Sequence, residues 1–154
     1  AVRELRAAMD AGFGRIDVDY NEEMHLIYAL VDDGLGRPQV LIRITHVKDV
    51  HTHEHVQTGN PDSKFGFPLQ SGQAHEAVQR ALASDAMELT GLHLHIGSQV
   101  FSVENFLEGL RAVAPFVRNE GLPELIVGGG LGVAYLEDEE APPLSAWAVS
   151  VVRT

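Results

Sequence analysis

A chain of 154 residues, 45% of them hydrophobic, is long enough for one ordinary core and too apolar to be disordered. Twenty-two acidic against eleven basic residues give a net charge of −11, which argues against nucleic acid and anionic membrane as partners while permitting a local anion site. The absence of cysteine excludes disulfides and thiolate–metal sites and agrees with a cytoplasmic location, and no run of about 18 apolar residues predicts a membrane span.

In chain order, Val2, Leu5, Ala8 and Met9 keep helical spacing until Gly12 and Gly14 stop it. Residues 15–20 then form an expected short strand. Asn21 is the expected N-cap of a helix to about Val31, with Glu22 and Glu23 in the first turn, where the helix dipole favours acid. Residues 40–44 are an almost continuous apolar run, the pattern of a strand covered on both faces. A long irregular stretch, 46–69, contains Gly59, Asn60-Pro61 and Pro68; loops of that length in a compact domain are usually functional. A helix is expected over 71–83, a strand over 89–96, a helix over 103–118 and a strand over 122–127. An acidic, proline-containing loop over 137–143 leads to a last helix. Such alternation means a parallel α/β fold. Periodicity alone leaves two forms open, a (β/α)8 barrel and a doubly wound sheet. Both ends of the chain fall inside helical patterns, so it is expected to be an internal segment of a larger domain.

In parallel α/β folds, ligands bind at the carboxyl ends of the strands, and three of the four predicted strands end in chemically loaded residues. One ends at Arg43. Another runs through His93 and His95, which are two apart and so share a face, into Gly97 and Ser98. The third runs into Gly128, Gly129 and Gly130, whose free N–H groups can make an anion-binding nest. The same glycines also suit a tight turn, and the same histidines also suit a satisfied core. The dinucleotide fingerprint does not fit, because its third glycine falls on Val133 or Tyr135. His51, His53, Glu54 and His55 look like a metal tract but lack the His-Glu-x-x-His spacing, and no metal site is expected. Lys64, one of only two lysines, could form a Schiff base if buried, although an ordinary loop role is the commoner use.

Taken together, Ser63-Lys64-Phe65-Gly66, Gly91-Leu92-His93-Leu94-His95-Ile96-Gly97-Ser98-Gln99 and Gly128-Gly129-Gly130-Leu131-Gly132 resemble, in order and spacing, the diaminopimelate decarboxylases. These belong to the pyridoxal phosphate (PLP) enzymes with an alanine-racemase-like barrel. His53-Glu54-His55 and Thr58-Gly59 are similar to that family's long loop. The resemblance implies a partial (β/α)8 TIM-type barrel with parallel strands, of which about four βα units are present. It implies PLP as cofactor, an amino-acid substrate and, in the complete enzyme, a homodimer that decarboxylates meso-diaminopimelate to L-lysine. Related ornithine and arginine decarboxylases and a non-catalytic barrel fragment are the alternatives. By the same resemblance His95 lies against the cofactor ring, Ser98 with Gly128, Gly129 and Gly130 holds the phosphate, and Arg43 orients the site. His93 has a weaker claim, and Lys64 is a structural loop residue. The family's cofactor-bearing lysine, its Glu-Pro-Gly-Arg and Cys-Glu-Ser segments and its C-terminal β-domain have no counterpart in these 154 residues. The strand-end argument makes a separate prediction: Arg43, His95, Ser98 and the three glycines should meet at one end of the sheet.

Overall fold

A computed structural model of the chain describes residues 2–46, 65–135 and 140–154. The elements run α1 (Val2–Asp10), β1 (Ile16–Val18), α2 (Asn21–Asp32), β2 (Gln39–Thr45), β3 (Phe67–Pro68), α3 (Gln73–Leu82), β4 (Glu88–Leu94), α4 (Val103–Glu120), β5 (Glu124–Ile126) and α5 (Leu144–Arg153). All strand pairings are parallel. β2 takes β1 on one edge (Ile16↔Val40 to Val18↔Ile42) and β4 on the other (Arg43↔His93, Ile44↔Leu94), and β4 takes β5 (Gly91↔Glu124 to His93↔Ile126). β3 pairs with the end of β2 at Ile44↔Phe67. Ile44 meets β4 on its other side, so β3 prolongs the β1 edge.

The strands lie in chain order, β1-β2-β4-β5, with no reversal. The core lies on one face of the sheet. There Val18, Val40, Ile42, Ile44, Leu92 and Leu94 pack against Met24 and Ile27 of α2, Ala74, Ala77, Val78 and Ala81 of α3, and Val113 of α4. A doubly wound sheet reverses its order and carries helices on both faces. Sequential strands with core helices on one face form an arc of a barrel, which settles the question that periodicity left open.

Alternation along the strands produces this arrangement. Even-numbered positions of β1 and β2 are aliphatic and face the helices, as do Leu92 and Leu94, while odd-numbered positions face the other way. In α3, Ala74, Ala77, Val78 and Ala81 recur at helical spacing and are all buried, and their small side chains let the helix lie close to the strands. Fully burying an aliphatic core residue such as Ile42 contributes about 1.5–3 kcal/mol.

Two local expectations change. Asn21 is the first residue of α2, not its cap; extended Tyr20 holds that place and makes no side-chain cap bond. Asn21 Oδ1 instead accepts from Arg80 Nη1 at 2.9 Å, and Glu23 reaches back to accept from the Asp19 amide at 2.7 Å. Phe67–Pro68, inside the stretch expected to be irregular, pairs as a short strand; proline is tolerated because this is an edge. Residues 47–64 of that stretch, with the His51, His53 and His55 tract and Lys64, lie outside the described residues.

Candidate functional site

The face of the sheet away from the core carries Arg15 just before β1, then Asp17 and Asp19, Arg43 on β2, His93 on β4 with His95 just beyond it, and Glu124 on β5. At the carboxyl end, Arg43 Nη1 donates to Asp19 Oδ2 at 3.1 Å, and the two side chains are only 21% and 15% exposed. The guanidinium also lies over the Phe65 ring, 5.5 Å from its centroid. Arg43 Nε and Asp19 Oδ1 nevertheless remain buried without a hydrogen-bond partner among the described residues. Buried polar atoms are rarely left so, and this pair points to a polar ligand.

His93 Nδ1 stands 2.8 Å from Asp17 Oδ2. A carboxylate can only accept, so Nδ1 is the donor, and Nε2 is left on the Gly128 side, where a Cβ built on that glycine would lie 3.2 Å away. The His95 ring stands edge-on to His93, centroids 6.2 Å apart. Burial pushes the His95 pKa down, Arg43 and His93 push it the same way, and Asp19 opposes them. His95 is therefore held neutral, as a flat apolar ring face beside a cation.

Beyond β5 the chain turns through Gly128 (φ +72°) and Gly130 (φ +91°), conformations that glycine adopts at little cost. A Cβ on Gly128 would meet the Leu94 carbonyl oxygen at 2.9 Å and His95 Nδ1 at 3.4 Å. A Cβ on Gly130 would run into the Gly97 carbonyl oxygen and come within 3.3 Å of Ser98 Cα. The glycine turn is thus pressed against the segment that carries His93, His95 and Ser98. The Val100 amide donates to the Gly130 carbonyl at 2.8 Å and the Gly132 amide to the Val100 carbonyl at 2.9 Å, which locks the two loops together.

The structure therefore brings Arg43, His95, Ser98, Gly128, Gly129 and Gly130 to the carboxyl ends of adjacent strands, as the strand-end argument predicts. It adds Asp17 and Asp19, which sequence reasoning missed. Their signal was available: Asp17-Val18-Asp19 alternates polar, apolar, polar at the end of a strand, which puts both carboxylates on one face. Among the described residues no three His, Cys, Asp or Glu side chains group as a metal site. No helix among them is long and apolar enough to cross a membrane.

Comparison with known proteins decides the family. The family described as pyridoxal-dependent decarboxylase, pyridoxal binding domain, matches residues 1–153. The chain belongs to that family. It is 38% identical to the diaminopimelate decarboxylase of Mycobacterium tuberculosis over 98% of this chain and 36% of that protein, so it spans little more than a third of that relative's length. The Staphylococcus aureus diaminopimelate decarboxylase is 37% identical over 93% of this chain and 34% of that protein. Among solved structures, the diaminopimelate decarboxylase of M. jannaschii superposes with a TM-score of 0.87 at 30% identity, covering 99% of this chain and 36% of that one. The Helicobacter pylori enzyme, solved as a complex with L-lysine, superposes at 0.86 with 28% identity, covering 99% of this chain and 39% of that one. The residues suit the family's cofactor on structural grounds alone. A glycine turn with no room for a side chain at Gly128 or Gly130 offers amides to a phosphate, and the buried Arg43 and Asp19 atoms without partners among the described residues offer polar groups at the same end of the sheet.

Proposed function

We propose that this chain supplies the cofactor-holding arc of a diaminopimelate decarboxylase, which takes meso-diaminopimelate to L-lysine and CO2. The observation that carries the reading is the meeting of His95, Ser98, Arg43 and the glycine turn at one end of the sheet. The 38% identity to an enzyme of that name supports the choice of substrate. When bound, pyridoxal phosphate supplies an electron-withdrawing ring that takes up the charge left by departing CO2.

The chain's own residues bind and orient that group. The amides of Gly128, Gly129 and Gly130 and the Ser98 hydroxyl donate to the phosphate, using the tendency of such turns to hold anions. His95, whose pKa is held down by burial and by Arg43, would offer an uncharged ring face to the cofactor. Arg43 is held by Asp19 and would donate to the cofactor through Nε, which has no partner among the described residues. The Asp17 carboxylate accepts from His93 Nδ1 and so orients the ring with Nε2 toward the glycine turn. The complete protein is proposed to act in the cytoplasm as a homodimer on a small amino acid, with no nucleic-acid or membrane partner. The acidic charge supports the last point.

The test is CO2 release by the complete protein, loaded with pyridoxal phosphate, from meso-diaminopimelate, ornithine, arginine and lysine in parallel. Preference for meso-diaminopimelate is expected, together with a loss of at least ten-fold in cofactor affinity in Ser98→Ala. Preference for ornithine or arginine would move the protein to the related decarboxylases. A protein that neither binds the cofactor nor releases CO2 would refute the proposal.

A further inference from the structure

Gln99 sits between Ser98 and the bridge that joins the two loops of the cradle, and it is the one non-glycine residue with positive φ (+54°) among the described residues. Its exposed side chain lies along the backbone of Val133. Gln99 Nε2 donates to the Val133 carbonyl at 3.1 Å, and Gln99 Oε1 accepts from the Val133 amide at 3.1 Å. A side-chain amide paired with both polar groups of one residue does what a neighbouring strand would do. The next rungs are backbone: Val100↔Leu131 forms a parallel bridge, bounded by the Gly130 and Gly132 hydrogen bonds. Gln99 therefore adds a side-chain link to a single backbone bridge. Bridge and link together join the Ser98 segment to the glycine turn.

The backbone conformation reinforces the point. A left-handed residue is uncommon outside glycine and asparagine, and glycine would adopt it more easily here. A glutamine at this position accepts an unfavourable backbone and keeps a side chain that makes two hydrogen bonds to the opposite loop. We propose that Gln99 is a positioning residue for the phosphate cradle. Without touching the ligand, it clamps the loop of residues 128–133 against Ser98 and so sets the affinity for the phosphate of pyridoxal phosphate. The inference rests on the cofactor-binding reading above.

The test uses the complete protein, purified with cofactor, stripped of it, and titrated with pyridoxal phosphate. Wild type is compared with Gln99→Ala, Gln99→Glu and Gln99→Gly by absorbance titration, by the phosphorus NMR shift of the bound phosphate and by melting of the apo form. Two ordinary hydrogen bonds are each worth roughly a two- to ten-fold effect. Gln99→Ala is expected to bind pyridoxal phosphate about ten-fold more weakly, with a displaced phosphorus resonance and an apo melting temperature close to wild type. Gln99→Glu keeps the acceptor and loses the donor, and should fall between the two. Gln99→Gly relieves the backbone and removes the clamp; it should bind as weakly as Gln99→Ala, and it serves in place of that variant if alanine does not fold. Wild-type affinity and resonance in all three variants would overturn the inference. So would recovery of wild-type affinity in Gln99→Gly, since conformation and not the amide would then matter. Failure of the wild type itself to bind pyridoxal phosphate would instead sink the cofactor reading.

Discussion

The inner face of this sheet has two ends built from the same residue types and finished differently. At the amino ends of the strands, Arg15 forms a two-pronged pair with Glu124, Nη2 to Oε1 at 2.6 Å and Nε to Oε2 at 3.1 Å. It also bonds the Gln39 side chain and the Gly14 carbonyl, and Gln39 bonds Glu88. The pair lowers the Glu124 pKa through the Arg15 hydrogen bond and raises that of Arg15 in return. At the carboxyl ends, the Arg43–Asp19 pair shares one hydrogen bond and leaves a buried donor and a buried acceptor without a partner among the described residues. Bonds completed within the protein hold a fold, and bonds left open within it are available to a ligand. In barrels of this type the amino end reads as stability and the carboxyl end as chemistry.

The comparison breaks most severely at Gly130. Gly130→Ala places a methyl group where the Gly97 carbonyl oxygen stands, on a backbone with φ +91°. The turn must move, and cofactor affinity should fall at least a hundred-fold, about 2.7 kcal/mol. The helix signal in circular dichroism should persist, because the core face is untouched; loss of that signal would mean the turn is needed for folding rather than for binding.

Asp19→Ala comes next. It leaves the largely buried Arg43 guanidinium without its counter-ion, and a hydrogen bond to a charged group contributes about 1.5–3 kcal/mol. Urea unfolding of the complete protein should show a loss of that order, and cofactor affinity should drop in the same variant because Arg43 is no longer held. A variant as stable as wild type would show that water replaces the carboxylate at no cost.

At the opposite end, Arg15→Ala should cost stability alone. The pair is exposed, at 36% and 40%, so the loss should be no more than about 1 kcal/mol, with cofactor affinity unchanged within two-fold. A larger change in affinity would mean that the two ends are mechanically coupled.

Much of this contrast is legible in the sequence. The apolar run over 40–44 predicts the strand β2 as covered on both faces; the helices cover its even positions, and of the odd ones Leu41 is buried while Arg43 is turned to the site. Arg43, His95, Ser98 and Gly128, Gly129 and Gly130 could be placed because each marks a strand end. Asp17 and Asp19 lie inside the strand expected over 15–20, where two acids carry no motif of their own. Only tertiary pairing shows Asp17 meeting His93, 76 positions along the chain. Periodicity could not choose between a barrel arc and a doubly wound sheet, since strand order and the side on which helices lie are not encoded in the period; the family resemblance implied the barrel. The Gln99 clamp was invisible for a related reason: a glutamine in a turn is unremarkable until its partner, 34 residues away, is known.

The smallest expected effect sharpens the contrast through pH. His95 has its pKa held below the ordinary value of 6.5, first by burial and then by Arg43 and His93. In the unfolded chain these influences are gone, so the unfolded imidazole takes up its proton first as pH falls. Between 6.5 and the lower folded value the unfolded state binds more protons, and stability therefore declines as pH drops through that window. Once folded His95 is protonated as well, the decline from this residue stops. His95→Gln removes the contribution, so urea midpoints measured from pH 7.5 down to 5 should fall less steeply in the variant than in wild type, with the two curves parallel above pH 7.5. Arg43→Ala keeps the imidazole and removes the nearest cation, so it should flatten the slope only in part. A wild-type curve that rises on acidification relative to His95→Gln would mean that Asp19 prevails over burial, and that His95 meets its ligand as a cation.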